Sequence, residues 1–175
     1  MAREAASQND PIGQGDTAER RPGAGIASVM AYTHTMNPVE VQNSIAKQRA
    51  NDEECTRLLL PRMGLLRFPF GISDSLTGRK PWVALQTIHL SHNLLNSLPD
   101  DFFVLTNLVE LRLDHNNLQA LSPLISRLVS LKTLNLHCNQ LAKLPAEIGG
   151  LRAASLLSLD ENQLRVLPFQ ICNLS

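Results

Sequence analysis

One spacing constrains this chain more than any other feature. Leu85, Ile88, Leu90, Asn93, Leu95 and Leu98 recur 23 residues later as Leu108, Leu111, Leu113, Asn116, Leu118 and Leu121. A second step of 23 gives Leu131, Leu134, Leu136, Asn139, Leu141 and Leu144. A third gives Ala154, Leu157, Leu159, Asn162, Leu164 and Leu167. Units in strict phase over such a length mark a stacked repeat, in which no unit buries its apolar face alone. A degenerate unit precedes them: Cys55, Leu58, Leu60, Leu65 and Phe68 keep the spacing, with Met63 in the asparagine slot. It lies 30 residues upstream of the next. The difference predicts an insertion at about 73–82, where Gly78, Arg79, Lys80 and Pro81 suggest a surface loop.

The second half of each unit repeats as well. Pro99, Phe102 and Leu105 match Pro145, Ile148 and Leu151, and then Pro168, Ile171 and Leu174; Ile125 and Leu128 fill the same slots in the third unit. This predicts a turn at proline followed by a short helical segment. In Thr87-Ile88-His89-Leu90-Ser91, alternation predicts a strand with Ile88 and Leu90 inward and Thr87, His89 and Ser91 outward. Asn93, Asn116, Asn139 and Asn162 are expected to stack as a structural ladder, their amides bonding backbone groups where the chain leaves the strand.

The N-terminal third is different in kind. The first 57 residues contain no leucine and the remaining 118 contain 31. Residues 1–36, rich in Ala, Gly, Ser, Asp and Arg, read as a disordered tail. Asn37-Pro38 reads as a helix start, with an N-cap and proline at the first helical position. The helix is expected from Pro38 to about Ala50, with Val39, Val41, Ile45 and Ala46 as its apolar stripe. The domain reading is thus a tail at 1–36, a capping helix at 37–54, and repeats at 55–175 with units starting near 55, 85, 108, 131 and 154.

These motifs resemble soluble intracellular leucine-rich-repeat proteins built of 23-residue L-P-x-x-I-x-x-L units, among them the Ras-pathway scaffold, Scribble-like proteins and small adaptors made of little but repeats. The resemblance covers about residues 38–175, and several such proteins begin with a helix similar to Val39–Ala50 and a degenerate strand similar to Cys55–Phe68. It implies an α/β solenoid, a horseshoe segment with a parallel concave β-sheet and short helical or 3-10 convex segments. It also implies a protein-binding scaffold without catalytic activity, often in GTPase or kinase signalling. This chain departs from the pattern at the insertion and at its C-terminal end.

Composition narrows the partners. Sixteen basic and sixteen acidic residues cancel, so no global field attracts nucleic acid or an anionic membrane. No apolar run is long enough for membrane insertion. Position 2 is alanine, which excludes N-myristoylation. The absence of a secretory h-region and an odd number of cysteines predict the cytoplasm, or the nucleus. No phosphate loop, zincin motif or nucleophile elbow is present, so neither enzyme activity nor a cofactor is expected.

The outward strand positions align into four columns. They are Arg57, Thr87, Glu110, Thr133 and Leu156; Leu59, His89, Arg112, Asn135 and Ser158; Pro61, Ser91, Asp114, His137 and Asp160; and Arg62, His92, His115, Cys138 and Glu161. The face is polar, basic at its start and acidic at Asp160 and Glu161, a gradient that would orient a protein partner. His89, Glu110, Arg112, Asp114, Asn135, His137, Asp160 and Glu161 are the expected contact positions. His92, His115 and Cys138, with His137 beside them, carry zinc-ligand chemistry, but an exposed ladder offers no closed tetrahedron and the expected metal is none. Cys55 and Cys172 are expected as inert buried thiols, Cys138 as the most exposed with Arg112 as its cation. Phe68, Phe102 and Phe169 are expected in the core or its shoulder, and Gly149-Gly150 in a turn. A sixth unit would begin at 177, past Ser175. Three readings follow: a fragment of a longer protein, self-association through the open end, or Phe169–Ser175 folded over as a cap.

Overall fold

A computed structural model describes residues 37–51, 56–68 and 82–174. The tail at 1–36 and the segments 52–55 and 69–81 lie outside the described residues, and with them Cys55 and most of the expected insertion.

Helix α1 spans Pro38–Asn51. Its start is a reciprocal cap: the Val39 N–H donates to Asn37 Oδ1 at 3.1 Å, and the Asn37 N–H donates to Glu40 Oε2 at 3.3 Å. Val41 and Ile45, one turn apart, are buried. Val39 and Ala46 were expected in the same stripe but point to solvent, because a residue two before Val41 falls on the far side of the helix. Gln48 performs a task that periodicity does not reveal. Its Nε2 donates to the Leu59 carbonyl and its Oε1 accepts from the Leu59 N–H, both at 2.7 Å. A side-chain amide thus substitutes for a neighbouring strand at the sheet's N-terminal edge, which would otherwise expose backbone groups.

Five parallel strands follow in sequential order: β1 Arg57–Leu59, β2 Thr87–His89, β3 Glu110–Arg112, β4 Thr133–Asn135 and β5 Leu156–Ser158. The register joins Arg57, Thr87, Glu110, Thr133 and Leu156 in one row, with Leu58, Ile88, Leu111, Leu134 and Leu157 beside it. Pairing continues past each short strand, for example from the Leu90 N–H to the Arg112 carbonyl at 2.8 Å and the Leu113 N–H to the Asn135 carbonyl at 2.8 Å.

The returning side carries 3-10 helices at Trp82–Ala84, Asp100–Val104, Pro123–Arg127, Ala146–Gly150 and Phe169–Asn173. Each of the last four is entered through an extended proline or serine, and Ser122 caps its helix by accepting from the Leu124 N–H at 3.3 Å. Trp82 was expected to close the insertion; instead it opens the first of these helices and packs against the core. Gly149 and Gly150 are not a turn. They lie within a helix, where a Cβ on Gly150 would come within 2.7 Å of Ser126 Cβ and one on Gly149 would strike the Gln170 carbonyl. Glycine is required there because successive convex helices approach closely.

The core is one cluster of leucines with Ile88, Ile125, Ile148, Phe68, Phe102 and Phe103. It thins toward the last unit: Leu157, Leu159, Leu164 and Ile171 are only partly buried, and Phe169 is 80% exposed rather than in the core. Phe169–Asn173 packs beside Ala146–Gly150 as one more convex helix, so it does not fold across the end as a cap. No helix among the described residues is long and apolar enough to cross a membrane.

Candidate functional site: the concave sheet face

The surface is built on a backbone fixed from beneath. Asn93, Asn116 and Asn139 are buried at the exits of β2, β3 and β4. Each bridges its own turn of the chain and the preceding one. Asn116 Nδ2 donates to the carbonyls of Leu90 and Leu113, both at 2.9 Å, while its Oδ1 accepts from the Leu95 N–H at 3.1 Å. Asn139 repeats this with Leu113, Leu136 and Leu118, and Asn162 with Leu136, Leu159 and Leu141. Each shared carbonyl therefore receives a bond from its own unit's asparagine and from the next one.

The ladder also explains the fourth column. Arg62, His92, His115, Cys138 and Glu161 all have left-handed backbones, with φ between 53° and 57°. Non-glycine residues rarely adopt this conformation. Here the chain must turn inward one residue later to deliver each asparagine amide (or Met63) to the core, and the side chains before it stand at the edge of the face in a row.

The expected contact residues fall on or beside the strands, and several are tied to one another. Glu110 Oε1 lies 2.6 Å from Arg112 Nε and 3.2 Å from His89 Nε2. Burial pushes the Glu110 carboxyl up, but Arg112 and His89 outweigh it and hold the group below its ordinary value. Asp114 Oδ1 accepts from Ser91 Oγ at 2.9 Å and from Asn135 Nδ2 at 3.0 Å, linking three units across the face. His137 Nδ1 lies against the Asp160 carboxylate. The imidazoles of His92 and His115 stack with centroids 4.2 Å apart and planes 8° from parallel, and His115 meets His137 edge-on at 5.2 Å. Arg57 and Arg62 are exposed at the β1 end, and Asp160 and Glu161 at the β5 end. Leu156, in the outer row, is 53% exposed and gives the acidic end an apolar spot.

The thiols differ from expectation. Cys138 is half-buried, and its neighbours are acidic rather than Arg112: burial, the Glu161 carboxylate and Asp114 push its thiol up. Cys172 was expected in the core but is exposed, because its helix belongs to the thinly packed last turn. Brief alkylation followed by peptide mapping should therefore modify Cys172 well before Cys138, since the thiolate is the reactive form. Faster reaction at Cys138 would contradict the acidic setting assigned to it.

Strand, asparagine turn and 3-10 return, stacked in sequence, define a solenoid with one parallel sheet on its inner face. Residues 83–164 carry leucine-rich repeats: a leucine-rich-repeat family model matches residues 83–141 and 106–164. A leucine-rich-repeat protein of Leptospira interrogans is 34% identical over 54% of this chain and 24% of its own, with a TM-score of 0.52. YopM from Yersinia enterocolitica is 22% identical over 82% of this chain and 30% of its own, with a TM-score of 0.56, and shows the shared fold. This chain thus matches under a third of the length of either structure. No curated protein matches its sequence. Repeats of this family generally mediate protein–protein interaction and are generally non-enzymatic.

Proposed function

We propose that the chain is a non-enzymatic adaptor of the cytoplasm or nucleus, acting in signalling by binding a protein partner on its concave face. The observation that carries this reading is the cross-linked polar network His89–Glu110–Arg112 and Ser91–Asp114–Asn135, held on strands that the asparagine ladder fixes. Side chains already oriented on a rigid sheet lose little further freedom on binding, which favours specific recognition. The basic and acidic ends would set the partner's direction. Asn135, His137, Asp160 and Glu161 complete the contact set, and exposed Leu156 supplies an apolar anchor at its end.

Affinity capture with the full chain tests this. One bait carries Glu110→Arg, Arg112→Glu and Asp160→Arg; a second carries the convex changes Arg127→Glu and Glu147→Arg. The reading predicts a partner retained by the unaltered and convex baits and lost from the concave one. Equal retention by all three would refute it.

A second reading draws on Val166, Leu167 and Phe169, which are 75%, 50% and 80% exposed on the last turn. Here the chain associates with a second copy through that end. Sedimentation across a dilution series should then show dissociation, and Phe169→Asp should abolish the larger species without lowering monomer stability. A single species at all concentrations would exclude it.

A further inference from the structure

We propose that His92, His115 and Asp114 form a chelating site for a divalent zinc-type cation at the edge of the concave face. The ligand atoms of all three lie within 4.8 Å of one another. Bound zinc needs its donors about 3.4 Å apart for bond lengths near 2.1 Å in a tetrahedron. The donors are therefore up to about 1.4 Å too far apart, and because stacked rings aim their lone pairs in parallel planes, the exposed His92 ring must turn for both to meet one ion.

Three features of the fold assemble these ligands. The left-handed backbones at 92 and 115, φ 56° and 53°, launch both side chains in the same direction from successive units, which is why the rings lie parallel. Asp114 precedes His115, and both bonds that fix its carboxylate end on Oδ1. Its other oxygen is left to serve as a ligand, since a carboxylate accepts at both oxygens. His92 is exposed, so its ring is free to turn out of the stack toward the cation.

The donor set is two imidazoles and one carboxylate, which suits zinc and leaves a further position open to solvent. Cys138, the third donor that the column pattern suggests, is occupied otherwise: its side chain bonds to Glu161 and its thiol is pushed up. The ligand that completes the set comes from the neighbouring column, one residue earlier in the chain. Arg62 opposes the cation electrostatically, but it is an exposed, flexible side chain that can turn away.

The test is a calorimetric titration of the full chain with Zn2+, together with nitrogen-15 spectra of its histidine rings. Expected are one saturable site and zinc-induced shifts at the His92 and His115 imidazoles. The variants are His115→Asn and Asp114→Asn. Asparagine tolerates the left-handed backbone at 115, and at 114 it keeps an oxygen for Ser91. His115→Asn should weaken binding by about tenfold or more, and Asp114→Asn should weaken it as well. Melting curves without metal show whether each variant is folded, and the ring spectra of the unaltered chain stand without any variant. No saturable binding below about 1 mM, shifts confined to other histidines, or unchanged affinity in a folded His115→Asn variant would overturn the proposal.

Discussion

Replacing Asn116 with alanine is expected to lower stability by about 2–4 kcal/mol, because it strands a buried backbone donor and deletes several amide bonds at once. The Leu95 N–H, which donates to Asn116 Oδ1 at 3.1 Å in the core, is left without its acceptor. The carbonyls of Leu90 and Leu113 fare better. Asn93 still donates to the first at 2.8 Å and Asn139 to the second at 2.9 Å. Position in the ladder should therefore matter. Asn162 makes the same set of bonds but is only partly buried, so water can replace part of its role. Its alanine variant should cost about 1 kcal/mol. Chemical denaturation of both variants checks this. Equal losses would mean that the amides are not the shared supports described here.

The second large effect is expected at Leu113. It is fully buried, and Leu113→Ala should cost about 2–5 kcal/mol as a core truncation. Its neighbour Arg112 is half-exposed and bound to Glu110, and Arg112→Ala should cost under about 1 kcal/mol, as surface ion pairs do. Acid separates the two further. Glu110 has a lowered value in the fold, so its contribution is present above the ordinary carboxylate range and fades as pH falls through the folded value. Arg112→Ala should weaken that acid-dependent part, whereas Leu113→Ala should lower stability equally across it. Comparable losses at both positions would put the strand phase out by one residue.

The strand phase, the columns and the convex helices were legible because each rests on a period. Leu111 and Leu134 repeat in step, and the paired register follows that step without a slip. What repetition does not encode was hidden. Gln48 reaches the β1 edge from a helix outside the repeat, and nothing in the spacing marks it. Val39 looked apolar enough for the helix stripe, but its angle around the helix puts it in solvent. Phe169 stands in the slot of Asp100, Pro123 and Ala146, which is exposed in every unit, whereas Cys172 stands in the slot of Phe103, which is buried. A repeat position is covered only when another unit stacks on it, so Cys172 is exposed in the last turn. In the site itself, the columns identified the polar side chains but not their pairings. The fourth column sets Glu161 beside Cys138, and the thiol turns to that carboxylate rather than to Arg112. For the same reason Asp114, not Cys138, lies with His92 and His115.

Position-specific photo-crosslinking in cells decides whether a protein partner occupies the concave face. One probe replaces Asn135, on strand β4 of the sheet; its counterpart replaces Glu147, on the convex side. A concave-face partner predicts a discrete crosslinked protein from position 135, absent from position 147. It also predicts that the 135 adduct disappears when Arg112→Glu is introduced. A crosslink from 147 alone, or one from 135 that survives Arg112→Glu, would contradict it.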